Sequence, residues 1–370
     1  MTHASDPLLR SDPLGRLVAR CKVTPLAAFS AAFILLGVVE QAIVPHLAHY
    51  PPILEALAQG GSARYARIYA LLNGFFFTPI GWGYYVWSTQ SPRQVYSALI
   101  SNGLIAPRAR RDFNAAFARL VGRLGSTWLM ILTFSLATVF VYFMARGWAH
   151  NVPVWFGHAN YVHRYFAIAT SWLADYMLFW ILVREAGIAL WIRYFARLFK
   201  NDVHVQPGHP DGAGGFGRVG LHALRLNLFI VNIGLALATS RLITLSSRAY
   251  TTPYGWAQLT GMVIYLVFTP LLAYWFIRPI RRLMARSRTR TLLSVSLAFR
   301  AEGSPRLGLF SLAGPTLSAK ARRLENLASI HSIYLDLVPV WPFRRPSRAF
   351  ALVSVIPLMS LLLGAYSAFR

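Results

Sequence analysis

One cysteine, Cys21, stands in 370 residues. A lone thiol closes no disulfide within the chain and builds no cysteine-based metal site, so neither device organises the fold. Lysine is nearly absent: Lys22, Lys200 and Lys320 are the three among 37 Lys+Arg. Acid is scarce as well, with 12 Asp+Glu, and the formal net charge is +25. Charged residues of both signs make up 13%, against about 25% in a soluble domain. There is no HExxH pair and no GxxxxGK[ST] loop, so the usual zinc-protease and nucleotide signatures are missing. A basic total can mark a nucleic-acid binder. No aromatic interleaving or fold motif accompanies the charge here, so nucleic acid is not the expected partner.

What fills the space left by charge is apolar surface. The chain is 56% hydrophobic and 14% aromatic, with 11 Trp suited to membrane interfaces. A membrane-crossing helix needs about 20 mostly apolar residues, and seven stretches are read as such: 25–44, 68–87, 127–145, 167–192, 224–243, 259–276 and 350–368. The expected fold class is an all-α polytopic membrane bundle of about seven transmembrane helices. With the N-terminus inside, 29 of the 37 cations fall on inner segments, as the positive-inside rule asks. The C-terminus is then outside. Arg10, Arg16, Arg20 and Lys22 precede the first run, which lacks a small-residue cleavage pattern and is read as an uncleaved anchor. The expected organisation is 1–24 as a cytoplasmic segment, 25–277 as six membrane helices, 278–348 as a cytoplasmic helical hairpin, and 349–370 as the seventh helix with a short outer tail.

Chemistry concentrates in His209-Pro210-Asp211-Gly212-Ala213-Gly214-Gly215-Phe216-Gly217, between the fourth and fifth apolar runs. Pro210 fixes φ and Asp211-Gly212 is a turn dipeptide. Gly214 and Gly215 permit positive φ and expose backbone amides. A helix start follows, with Arg218, His222 and Arg225 at i, i+4 and i+7 on one face. A backbone nest, a helix N-terminus and two guanidinium groups form an anion-receiving corner, fitted to a lipid or soluble phosphate. The alternatives are a structural re-entry turn capped by Asp211, or a metal or proton site using His209 and Asp211.

Ionisable residues inside apolar runs are functional candidates because leaving them unpaired in lipid costs several kcal/mol. Asp175 falls near the middle of the fourth run, with Asn232 of the fifth as its expected partner. Glu40 and Arg241 fall near the outer edge and are expected to pair. Arg184 and Glu185 fall near the inner edge, within reach of Arg225. These residues read either as a polar track for an ion or solute, or as glue between helices. His46, His49, His150, His158 and His163 gather on the outer side without the company of a metal motif, so no metal site is assigned. The Arg-rich run from Arg278 to Arg290 reads as a contact for anionic lipid headgroups. Pro339, Trp341, Pro342 and Phe343 read as an interfacial motif before the last helix.

The His209-Pro-Asp-x-x-Gly-Gly215 run and the Pro339-Val-Trp-Pro-Phe343 run resemble paired markers of a family of uncharacterised bacterial multi-spanning inner-membrane proteins. The resemblance covers roughly residues 167–363. The chain departs from that pattern in having Phe216 in place of Leu and Arg344 in place of an acidic residue. The resemblance implies a multi-pass inner-membrane location and no particular reaction. The expected role is therefore a sensor, effector or pathway component whose inner face binds an anionic lipid, a small ligand or a partner protein. A transporter or channel using Asp175 is the alternative, and a lipid-acting enzyme at His209 and Asp211 a third. No cofactor is named by the sequence, and a homo-oligomer is left open.

Overall fold

The computed structural model describes residues 9–43, 68–151, 161–206, 209–246, 253–303 and 315–337. Asp12 starts the first helix, α1 (Pro13–Arg20): its side chain accepts from Gly15 N, and Pro13 sits where a helix has no amide hydrogen bond to lose. Thr24 does the same for α2 (Pro25–Ala32), which runs on in wider π-type turns through Phe33–Ile43. A second π-type stretch, Asn73–Phe77, leads into α3 (Thr78–Ser101). A 3-10 turn, Pro107–Ala109, opens α4 (Arg110–Leu124). Then come α5 (Thr127–Asn151), α6 (Tyr161–Leu198), α7 (Gly217–Ser246), α8 (Pro253–Gly303) and α9 (Pro315–Leu337). Among the described residues the one departure from helix and turn is an isolated antiparallel bridge, Ile105 to Val203.

Helix α6 is the axis. It packs against α3, α4, α5 and α8. Its lower half meets α4 through aromatic rings. Phe113 is fully buried and stacks on Tyr96 at 5.4 Å, with Phe195 and Phe199 edge-on to it. The sequence of α4 explains this arrangement. Phe113, Ala116, Leu120 and Leu124 recur at three- and four-residue steps and are buried, while Arg110, Arg111, Arg119 and Arg123 are exposed.

Helix α5 is different. Its buried stripe is narrow: Thr133, Ala137 and Val141, spaced four apart. Trp128, Ile131, Phe134, Val139, Tyr142 and Phe143 stay exposed around the rest of it.

The all-α character stands. The seven-span arrangement does not. Among the described residues two helices are long and apolar enough to cross a membrane, Tyr165–Leu198 and Gly217–Ser240. The number rises to four if each of two bent pairs is one span: Pro13–Arg20 with Pro25–Gln41, bent by 111°, and Pro107–Leu124 with Thr127–Phe143, bent by 45°. The second expected span fails for a physical reason. Its residues run into α3, whose Tyr84, Tyr85, Val86, Ser88, Thr89 and Ser91 are buried against protein on several sides. A hydropathy run records apolar content and is blind to what covers it. The seventh expected span and the interfacial motif Pro339, Trp341, Pro342 and Phe343 lie outside the described residues, as do most side chains of the sixth span. The alternation of inner and outer sides depended on seven crossings. The multi-pass inner-membrane placement, and the seven-span sensor or transporter built on it, are withdrawn with that count.

The stretch expected as one arm of a hairpin continues the sixth apolar run without a break, since α8 spans 51 residues. α9 packs on it.

Candidate functional site

Two neighbours on α6, Arg184 and Glu185, carry opposite charges and point to different elements. Consecutive helix residues lie about 100° apart, so they cannot satisfy one another and each needs its own partner. Both are almost fully buried, at 3% and 0% exposure.

Arg184 pairs with Asp12 through Nη2 and Oδ2. The carboxylate also accepts from Tyr85 Oη at 2.6 Å, Tyr176 Oη at 3.2 Å and Gly15 N at 3.1 Å. The guanidinium donates to Ser88 Oγ at 3.0 Å and lies over the rings of Tyr85 and Trp180, 5.0 and 5.5 Å from their centroids. Position 15 must be glycine-sized here, since a Cβ would come within 2.5 Å of Asp12 Oδ2. Ser11 secures the same end by donating to Leu124 O at 2.6 Å. The N-terminal segment is thus pinned into the bundle by an ion pair that α1, α3 and α6 share, and by the Ser11 bond to α4.

Glu185 pairs with His222 of α7, Nε2 to Oε2 at 2.8 Å, and accepts from Tyr84 Oη at 3.2 Å. The imidazole is 2% exposed and lies between the rings of Trp87 and Phe276, 5.0 and 5.1 Å away. The contact with Glu185 assigns the Nε2 proton, and Nδ1 finds no hydrogen-bond partner among the described residues. Arg225, exposed, covers the outer side by stacking over Trp87 at 5.1 Å.

The His209–Gly217 corner is tied to the same end of the bundle. Asn102 donates to Gly215 O at 2.6 Å, and Leu104 packs against Gly215. Gly212, Gly214 and Gly215 all adopt positive φ, at 61°, 61° and 94°. That turns three amides toward one point. The group they meet is the side chain of Asp211. Its Oδ1 accepts from Ala213 N (2.8 Å) and Gly215 N (3.1 Å), and its Oδ2 from Gly217 N (2.8 Å). His209 Nδ1 lies 2.8 Å from Oδ1 and 3.3 Å from Asp211 N. The shorter, charge-assisted contact decides the roles, with Nδ1–H donating to the carboxylate. Burial works to raise the Asp211 pKa, but the three amides and His209 outweigh it and hold the carboxyl below its ordinary value. The nest and the α7 N-terminus are therefore filled from within. Arg218 and Arg225 are exposed while His222 turns inward, so the three do not converge on one ligand.

The expected polar track also separates. Asn232 donates to Phe77 O at 3.0 Å and does not reach Asp175. Asp175 Oδ2 is buried with no hydrogen-bond partner among the described residues. Glu40 is half-buried in the π-type stretch, and the Arg241 side chain lies outside the described set. So do the side chains of His46, His49, His150, His158 and His163. Among the described residues no three His, Cys, Asp or Glu groups gather where they could hold a metal ion.

Sequence reasoning missed Asp12, Tyr84, Tyr85, Tyr176 and Ser88. One signal was present. Ser11-Asp12-Pro13 is a helix start with a side-chain cap, and it placed Asp12 at a fixed structural position. Nothing local told that the cap would face Arg184, 172 residues away.

No family model matches the chain, and no curated protein or solved structure matches it either. Its function must be read from its own geometry.

Proposed function

We propose that this protein acts by binding phospholipid at an anionic bilayer. The observation that carries this is the joint between α4 and α5. From Thr127 to Phe143 α5 has no charged residue and exposes large apolar side chains on most of its circumference. Directly before it, the last two turns of α4 expose Arg119 and Arg123. An apolar surface of that extent asks for a partner, and the one suited to a rod with arginines at its foot is acyl chain below phosphate.

Among the described residues, the groups of the α6 pairs and of the corner are already engaged within the chain. Glu185, His222 and Asp12 are closed off from solvent, each with its partner. Asp211 is consumed by backbone amides. The resemblance to bacterial membrane proteins through the HPDxxGG and PVWPF runs agrees with a lipid partner but adds no reaction.

The test is native mass spectrometry of the full chain in detergent micelles, with phosphatidylglycerol and phosphatidylcholine added in equal amounts. Retained lipid, with phosphatidylglycerol in excess, is the expected result. A lipid-free protein, or a concentration-dependent dimer whose formation excludes lipid, would overturn the reading, the second by showing that another copy covers α5.

A further inference from the structure

The α4–α5 bend carries a shallow groove of about 560 Å³, open to the surface and lined by Arg119, Gly122, Arg123, Ser126, Trp128 and Leu129. We propose that this groove is a discrete site for the phosphodiester headgroup of one anionic phospholipid, with Arg119 and Arg123 on the phosphate and Trp128 against the glycerol and upper acyl chain. The inference rests on the lipid-binding reading above and adds a specific place and stoichiometry to it.

Four observations converge. Arg119 and Arg123 lie one turn apart on the same face of α4, about 6 Å along the axis, a spacing two guanidinium groups can bridge with one phosphate. Arg119 is already positioned: its Nη2 donates to Tyr194 Oη at 3.1 Å and its guanidinium lies over that ring at 5.7 Å. That contact is neutral, so the positive charge stays available. Arg123 has no side-chain partner among the described residues. The acidic residue sharing that face, Asp112, is two turns back, about 10 Å along the helix, beyond direct pairing with either.

The groove changes character along its length. Its α4 side is cationic, and its α5 side is formed by Trp128, which is 69% exposed, and Leu129. Such a gradient matches an amphiphile better than a free anion. The first turn of α5 carries no acidic residue, so the partial positive charge of that helix start is uncompensated from within its own turn. Gly122 keeps the floor open. A Cβ built there meets nothing within 4 Å, so no packing contact requires glycine at this exposed helical position.

The experiment is a native mass-spectrometric titration of the full chain with phosphatidylglycerol, comparing four proteins. In Arg119→Ala/Arg123→Ala the first lipid to bind should weaken at least tenfold. Gly122→Leu keeps both charges and fills the groove, and should weaken the same lipid comparably. Arg110→Ala/Arg111→Ala removes the same charge from the same helix away from the groove and should match wild type. Inorganic phosphate at millimolar concentration should not displace the lipid. Equal losses in both arginine pairs would reduce the effect to net charge and overturn the site. Displacement by inorganic phosphate would overturn the lipid assignment in favour of a soluble anion. If phosphatidylglycerol is preferred but no variant changes it, the site fails and the general reading survives. If no variant or wild type prefers phosphatidylglycerol, the general reading fails with it.

Discussion

Compare the arginine buried on α6 with the arginines exposed on α4. Arg184 has a carboxylate, a serine hydroxyl and two aromatic faces around it, and every one of those contacts belongs to this chain. Arg119 has a tyrosine, and Arg123 no side-chain partner among the described residues. Removing a guanidinium from the first setting leaves the Asp12 carboxyl in the interior without its counter-charge, and removing one from the second strands no charge. The same side chain is a structural pin in one place and an offered charge in the other. What separates them is whether the chain supplies the counter-charge.

The largest effect expected from this contrast is at the pin. Arg184→Met strands a buried carboxylate and should cost about 3–5 kcal/mol, read as a fall in thermal unfolding temperature in detergent. Asp12→Asn strands the guanidinium and should also be severe. The double variant should lose clearly less than the sum, because neither charge is then left alone. Additive losses would mean the two groups do not act as a pair.

Next is Asp211, where one carboxylate serves three amides at a helix start. Asp211→Ala frees all three and should cost about 1–2 kcal/mol, the upper part of the range for a lost cap. Acid should act in the same direction. The folded carboxyl has the lower pKa, so its contribution is complete above the ordinary carboxylate range and drains away as pH falls through the depressed folded value. Wild type should therefore lose stability below about pH 4, and Asp211→Asn should lose less over the same interval. An Asp211→Asn protein with wild-type acid sensitivity would show that this carboxylate does not set the acid response.

Asp175 is the converse of Arg184. The residue is half-buried, and its Oδ2 is buried with no hydrogen-bond partner among the described residues. Where the stranded group already exists, deleting it should help. Asp175→Leu is expected to raise stability by about 1–3 kcal/mol. A loss of stability would show that Asp175 has a partner beyond the described residues.

How much of this was legible beforehand varies with the range of the interaction. Local chemistry read in part: the apolar runs that fall on described residues lie in helices, though α1 and α4 were not expected, and the Asp211-Gly212 turn with its glycines located the corner. The target of the Asp211 side chain was open, since a nest receives a foreign anion or its own aspartate by the same amides. The number of spans was misread because hydropathy cannot distinguish a helix face turned to lipid from one turned to protein, and α3 is turned to protein. Pairing across the bundle was not legible at all. Arg184 and Glu185 announced that two partners were needed. Which partners were chosen depended on how α1, α3 and α7 dock on α6, and that is a property of the assembled packing. Asn232 was a reasonable partner for Asp175 by depth alone, yet it donates to the Phe77 carbonyl, where π-type turns give way to α3.

The smallest effect is the most diagnostic for the exposed arginines. Glycine inside a helix costs roughly 0.5–1 kcal/mol relative to alanine, and at Gly122 no neighbour repays that cost. Gly122→Ala should therefore raise stability by about that amount, since the extra methyl meets only open groove. A leucine at the same place should be at least as well tolerated by the fold, because its side chain extends into the same space. The two variants then diverge in lipid binding alone. Alanine leaves most of the groove open and should hold phosphatidylglycerol nearly as wild type does, while leucine excludes it. A protein in which both substitutions stabilise and neither disturbs lipid would show that the gap between α4 and α5 is only the space a bent pair of helices leaves behind.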